Sequence, residues 1–173
     1  MGKVDDNKQQ KLNALLNAAY DLFTTQSVEK TTIAEISKAA DVAKGTFYLY
    51  FKDKYEIRNR LISHESSKLF KDAVAALEKK SSTASKEPAF EEKMIFIINY
   101  IVDALEGNHS LLTFISKNLS WGVFKEALTT NVASNDINFK DIYYEMLSTS
   151  GLSIEEPEIL LFLVVELVGS TCY

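Results

Sequence analysis

The stretch Lys44-Gly45-Thr46-Phe47-Tyr48-Leu49-Tyr50-Phe51-Lys52-Asp53-Lys54 decides how this chain is read. Phe47 and Phe51 are four residues apart, so on a helix they sit one turn above the other and form an apolar anchor. Tyr48 lies off that pair and points away from it, while Tyr50 falls near the end of the element. Lys44 and Lys54 bracket the segment with positive charge. Its first eight residues, Lys44–Phe51, read as a very short helix whose one apolar edge cannot bury much surface by itself, so it must lean on neighbouring helices.

Those neighbours are legible on both sides. Leu12, Leu15, Leu16, Ala19, Tyr20, Leu22 and Phe23 recur at three- and four-residue steps and predict an amphipathic helix that gives out at Thr24-Thr25-Gln26-Ser27. In Thr31-Thr32-Ile33-Ala34-Glu35, Thr32 and Glu35 have the S/T-x-x-E spacing of a capping box, which starts a second, short helix with Ile36, Ala39 and Ala40 on its buried edge. Asp41-Val42-Ala43 interrupts it before Lys44. Downstream, Asp53 caps and Glu56 favours the start of a long helix carrying Tyr55, Leu61, Ile62, Leu69, Phe70, Val74 and Leu77 to about Lys80.

After the polar run Ser81–Pro88, four further helical patterns follow: 90–106, 110–119, 121–148 with a break near Ser134-Asn135-Asp136, and 158–173. With only 6 Gly and 2 Pro among 173 residues and 46% hydrophobic content, an all-α fold is expected. The predicted organisation is a head of three helices, residues 1–54, joined by the long helix to a helical-bundle body, residues 55–173.

The formal net charge of -5 speaks against a nucleic-acid partner only if it is uniformly spread. It is not: residues 1–60 hold ten Lys and Arg against eight Asp and Glu, and the remainder holds nine against sixteen. A mildly basic head on an acidic body suits a DNA-binding module attached to a domain that does not bind DNA. The single cysteine, Cys172, allows no intrachain disulfide and, in its apolar run, reads as an inert buried thiol in a reducing cytoplasm. No secretory signal is recognisable at the N-terminus. The longest apolar stretch, Ile159–Tyr173, contains Glu166 and is shorter than the ~20 residues a bilayer requires, so no membrane association is expected.

Catalytic signatures are sparse. Two histidines, His64 and His109, are too few for most metal sites; Glu106-Gly107-Asn108-His109 has E-x-x-H spacing but Gly107-Asn108 reads as a helix end. No cofactor, metal site or enzymatic activity is expected. The body's aromatic residues could line an apolar effector pocket, with Tyr100, Phe114 and Trp121 as the candidates.

Three short helices followed by a long one, carrying T-T-I-A-E-I and then K-G-T-F-Y-L-Y-F-K-D-K, resemble the TetR/AcrR family of transcriptional regulators over about Leu12–Leu61. The resemblance implies that residues 1–54 are a helix-turn-helix DNA-binding head and residues 55–173 a ligand-binding and dimerisation body, with DNA held through Thr32, Lys44, Gly45, Thr46, Tyr48, Tyr50 and Lys54. Lys44 and Thr46 would meet base edges; Thr32, Tyr48, Tyr50 and Lys54 would hold phosphates; Gly45 would permit close approach. It further implies a homodimer on a palindromic double-stranded operator, and a repressor released by a small-molecule effector. A protein-interaction adaptor that keeps the fold without binding DNA is the alternative. Three departures stand out: Gln26-Ser27 replaces the glycine usual after the first helix, Ala43 stands where a capping serine is common, and the chain stops in an apolar run at Gly169–Tyr173. The last of these leads us to expect a truncated C-terminus lacking the final dimer helix.

Overall fold

A computed structural model describes residues 3–82, 86–129 and 139–171. Among these, every regular element is helical: α1 (Lys3–Gln26), α2 (Ile33–Ala39), α3 (Lys44–Phe47), α4 (Lys54–Ser81), α5 (Phe90–Glu106), α6 (His109–Asn118), α7 (Trp121–Thr129), α8 (Phe139–Ser148) and α9 (Pro157–Thr171). The expected break near Ser134-Asn135-Asp136 and the thiol of Cys172 lie outside the described residues, but the pattern over 121–148 does resolve into two helices, α7 and α8.

The chain forms two compact units that divide between Leu61 and Ile62, later than the boundary at 54/55 expected from sequence. The reason is that α4 does not serve the body alone. Its first two turns place Ile57 and Leu61 in the buried set, and those turns belong to the head.

Within the head, α1 packs on α2 and α2 on α3. Leu15, Ala18, Ala19 and Phe23 form the buried stripe of α1, and Val28, Ile36, Phe47, Phe51 and Ile57 are also buried. Each large apolar side chain removed from water contributes roughly 1.5–3 kcal/mol, and Phe47 and Phe51, with ring centroids 5.6 Å apart, are the anchor expected of the decisive segment. Where α1 ends, Ser27 takes φ 80°, the left-handed conformation that glycine adopts without strain. Buried Thr31 closes the turn by donating its backbone N–H (3.2 Å) and its hydroxyl (2.7 Å) to the Ser27 carbonyl.

In the body, α5 packs on α6, α6 on α9, and α7 on α8 and α9. Local signals set the ends. The Glu92 carboxylate accepts the Ala89 N–H at 3.0 Å, at the start of α5. Gly107 caps its end, and Asn108 caps α6 by accepting the Leu111 N–H at 3.1 Å. Glu106 and His109 therefore sit on different helices, which removes the one-face geometry that E-x-x-H spacing needs on a metal-binding helix. Pro157 occupies the first position of α9, where its missing N–H costs nothing.

Candidate nucleic-acid interface

The head presents a short helix on a rigid support. At its base, the Thr32 hydroxyl accepts the Glu35 N–H (3.2 Å), and the Glu35 carboxylate accepts the Thr32 N–H (2.8 Å) and the Thr32 hydroxyl (2.7 Å). This is the capping box expected from sequence. The hydrogen bonds from Thr32, side chain first, hold the Glu35 carboxyl below its ordinary pKa. Between α2 and α3, Asp41 adopts φ 53°, and the Val42 N–H donates to the Ser37 carbonyl at 2.9 Å. Aspartate tolerates the left-handed region better than most residues, so the tight turn needs no glycine.

α3 is shorter than the eight-residue helix expected. It covers only Lys44–Phe47 and then tightens: the Leu49 N–H bonds Thr46 O at 3.1 Å and the Tyr50 N–H bonds Phe47 O at 3.0 Å. Ala43 precedes it and supplies no side-chain cap, as its methyl group dictates. The outward residues are those a groove-reading element requires. Lys44 and Gly45 are exposed, Thr46 is half-buried, and Tyr48 is 52% exposed while its ring meets Phe47 edge-on at 5.6 Å. A Cβ built on Gly45 would meet nothing within 4 Å, so nothing inside the protein requires a glycine there. Leu49, 79% exposed beside Tyr48, was not among the expected residues; its exposure follows from the tightened turn, which the apolar spacing does not reveal.

Two of the expected contacts turn inward. The Lys54 ammonium donates to the carbonyls of Val28 (2.8 Å), Glu29 (2.9 Å) and Thr31 (3.1 Å). An ammonium has three N–H donors, and all three are used. Lys54 thus ties the α1–α2 loop to the start of α4, in place of the phosphate contact expected of it. Tyr50 donates its hydroxyl to the Lys8 carbonyl at 3.1 Å, linking the end of the α3 segment to α1. Thr32, Lys44, Gly45, Thr46 and Tyr48 remain outward-facing or at helix starts. The connection to α4 is closed by Asp53, which accepts the Tyr55 (2.8 Å) and Glu56 (2.9 Å) N–H groups, while Glu56 accepts the Lys52 N–H at 2.7 Å.

The body holds a separate apolar cavity of about 120 Å³. Its walls are mostly aliphatic, with Ile97, Ile98 and Ile101 from α5, Ile115 from α6 and Leu161 from α9; Ser63, Ser66 and Ser67 of α4 are polar. None of Tyr100, Phe114 and Trp121 lines it. Tyr100 packs beside Phe70, Ala73, Leu77 and Ile97, Phe114 is buried, and Trp121 is 36% exposed, stacked on Phe124 at 6.1 Å. From the neighbourhood of Phe114 and Trp121, it is Ile115, Leu119 and Phe124 that line this cavity.

Residues 15–61 match the family described as bacterial regulatory proteins, tetR family. The fatty acid metabolism regulator protein of Bacillus subtilis (strain 168) is 32% identical over 105 residues, which are 60% of this chain and 50% of that protein. The chain thus spans half of that relative's length. An uncharacterised helix-turn-helix-type transcriptional regulator of Haemophilus influenzae is 28% identical over 151 residues, 87% of this chain and 74% of the relative. Among solved structures, the transcriptional regulator FadR of Bacillus subtilis in complex with stearoyl-CoA has a TM-score of 0.61 at 19% identity, covering 93% of this chain and 84% of that one. At that identity the likeness shows a shared fold.

Proposed function

We propose that the chain, whose residues 15–61 match the tetR family of bacterial regulatory proteins, is a DNA-binding transcriptional repressor released from its operator by a small apolar effector. The observation that carries this reading is the surface of α3. Lys44, Gly45 and Tyr48 are exposed and Thr46 is half-buried on a segment that Phe47 and Phe51 hold against the head. A helix seated in the major groove reads base edges with its outer face and takes phosphates at its flanks. Lys44 and Thr46 are assigned to base edges, Tyr48 to a phosphate, and Gly45 to close approach of the sugar-phosphate chain, while Thr32, whose N–H and hydroxyl both go to the Glu35 carboxylate, is assigned to capping α2. Lys54 and Tyr50 are assigned a positioning role through the loop and α1 carbonyls they bind.

The protein would act in the cytoplasm as a homodimer on a palindromic site, two heads reading half-sites roughly 34–36 Å apart. The effector class is a fatty-acyl or similarly aliphatic molecule. Two observations support it: the Leu, Ile, Val, Met and Phe lining of the body cavity, and the likeness to a fatty acid metabolism regulator. An effector that binds the body better when DNA is absent must weaken DNA binding by the same factor that DNA weakens its own binding.

Selection of duplexes from a random pool, followed by anisotropy titration across a salt series, tests the reading. A palindromic site, bound with a steep salt dependence and weakened by Lys44→Ala and by Tyr48→Ala, is the expected result. If no sequence is enriched and affinity stays near ~10⁻⁴–10⁻⁶ M, the non-specific level, the reading falls and the adaptor takes its place.

A further inference from the structure

Ser63 is 4% exposed, and its hydroxyl has no hydrogen-bond partner. It lies on the wall of the body cavity, with Ser66 and Ser67 three and four residues further along the same face of α4. A serine inside a helix ordinarily satisfies its hydroxyl on the carbonyl four residues earlier or points to water. Ser63 does neither, and a buried polar group without a partner is costly. The remaining cavity walls are aliphatic or aromatic, and no Lys, Arg, His, Asp or Glu is among the lining residues.

Resting on the effector reading above, we propose that Ser63 is the polar subsite of this cavity, donating its hydroxyl to a single uncharged oxygen acceptor on an otherwise aliphatic ligand. The acceptor must be neutral, because a carboxylate brought among these walls would meet no cation and would lose its hydration uncompensated. A carbonyl of a ketone, ester or thioester has the required chemistry: one strong acceptor and no charge. Size sets a second limit. At about 120 Å³ the cavity is comparable to an engineered apolar cavity of about 150 Å³ that stays dry and takes benzene. A compact ligand enters it as it stands, and a long chain enters only if the helices part.

The test uses the full chain and three matched probes: heptan-2-one, n-heptane and heptanoate. Binding is read from Trp121, the only tryptophan, whose ring stacks on the cavity residue Phe124, and independently from the shift in Tm. The ratio of the ketone and alkane Kd values is measured in wild type and in Ser63→Ala, so the differing hydration of the two probes cancels. The expected result is a ratio that moves against the ketone by roughly two- to tenfold in the variant, the worth of one neutral hydrogen bond. Heptanoate is expected to bind far more weakly than either. Alanine is a better helix former than serine and removes an unsatisfied group, so the variant folds. An unchanged ratio, or heptanoate binding as tightly as the ketone, overturns the assignment of Ser63 while leaving an apolar effector site in place. Failure of both neutral probes to bind wild type sinks the site itself, and this inference with it.

Discussion

Lys54→Met separates the two roles that a lysine at this position can play. Methionine keeps the unbranched stem and discards the ammonium, so three charge-assisted bonds to Val28, Glu29 and Thr31 are lost together. Each hydrogen bond to a charged group contributes about 1.5–3 kcal/mol when well shielded. Lys54 is half-buried and Glu29 is exposed, so solvent takes back part of that sum. A net loss of about 2–3 kcal/mol remains, and at roughly 2–4 °C per kcal/mol for a chain of this size, Tm is expected to fall by about 5–10 °C. Thermal melting by circular dichroism measures this, with the salt dependence of DNA binding measured on the same sample. A lysine that only held a phosphate would behave in the opposite way. Stability would not move, and the slope of log K against log salt would drop by about one. That outcome would refute the reasoning from the three carbonyls.

Three further outcomes follow from the head. Gly45→Ala is expected to leave Tm unchanged or slightly raised, since the new methyl meets nothing within 4 Å, yet to weaken operator binding at least about tenfold by standing off the duplex backbone; equal affinity in an anisotropy titration would remove Gly45 from the interface. Thr32→Ala opens the capping box of α2 and should cost about 1 kcal/mol, read as a Tm lower by about 2–4 °C, with Thr32→Ser close to wild type. Acid should destabilise the protein through Glu35 and Glu29. Glu35 is held below 4.5 by its bonds to Thr32, and Glu29 by the backbone first and by Ser27 and Lys54 after it. For a depressed carboxyl, the stabilisation is complete above the unfolded value and is lost as pH falls through the folded one. Tm should therefore be flat from pH 7 down to about 5 and decline below about 4.5; a decline beginning near neutrality would point to other groups.

Much of the head was legible because its signals are local. Thr32 and Glu35 are three residues apart, Asp53 lies within three residues of both N–H groups it caps, and Phe47 and Phe51 are one turn apart. Periodicity and capping rules act over that range. The internal partners of Lys54 were not legible because they are 23 to 26 residues away; a lysine's stem reaches whatever the fold brings near, and charge alone suggests an outward one. The body failed differently. Apolar spacing marked helical patterns over 90–106 and 110–119 and from 121 onward, but such spacing reports that a face is buried and not what it is buried against. Phe114 and Ile115 are adjacent and both buried, yet only Ile115 reaches the cavity. The unpartnered hydroxyl of Ser63 had no signature in the sequence, where it reads as one more small residue on a long helix.

The brevity of α3 bears on how a genome could be searched. Four residues at about 1.5 Å each rise roughly 6 Å, less than two base-pair steps of about 3.4 Å. Even with side-chain reach, one head carries only a short word, and such a word recurs throughout a genome that offers ~10⁶–10⁹ competing sites. A unique address must then be spelled by combination, through a second head at a set distance or through the flexibility of the duplex between them. Selection would act on that spacing as strongly as on any contacted base.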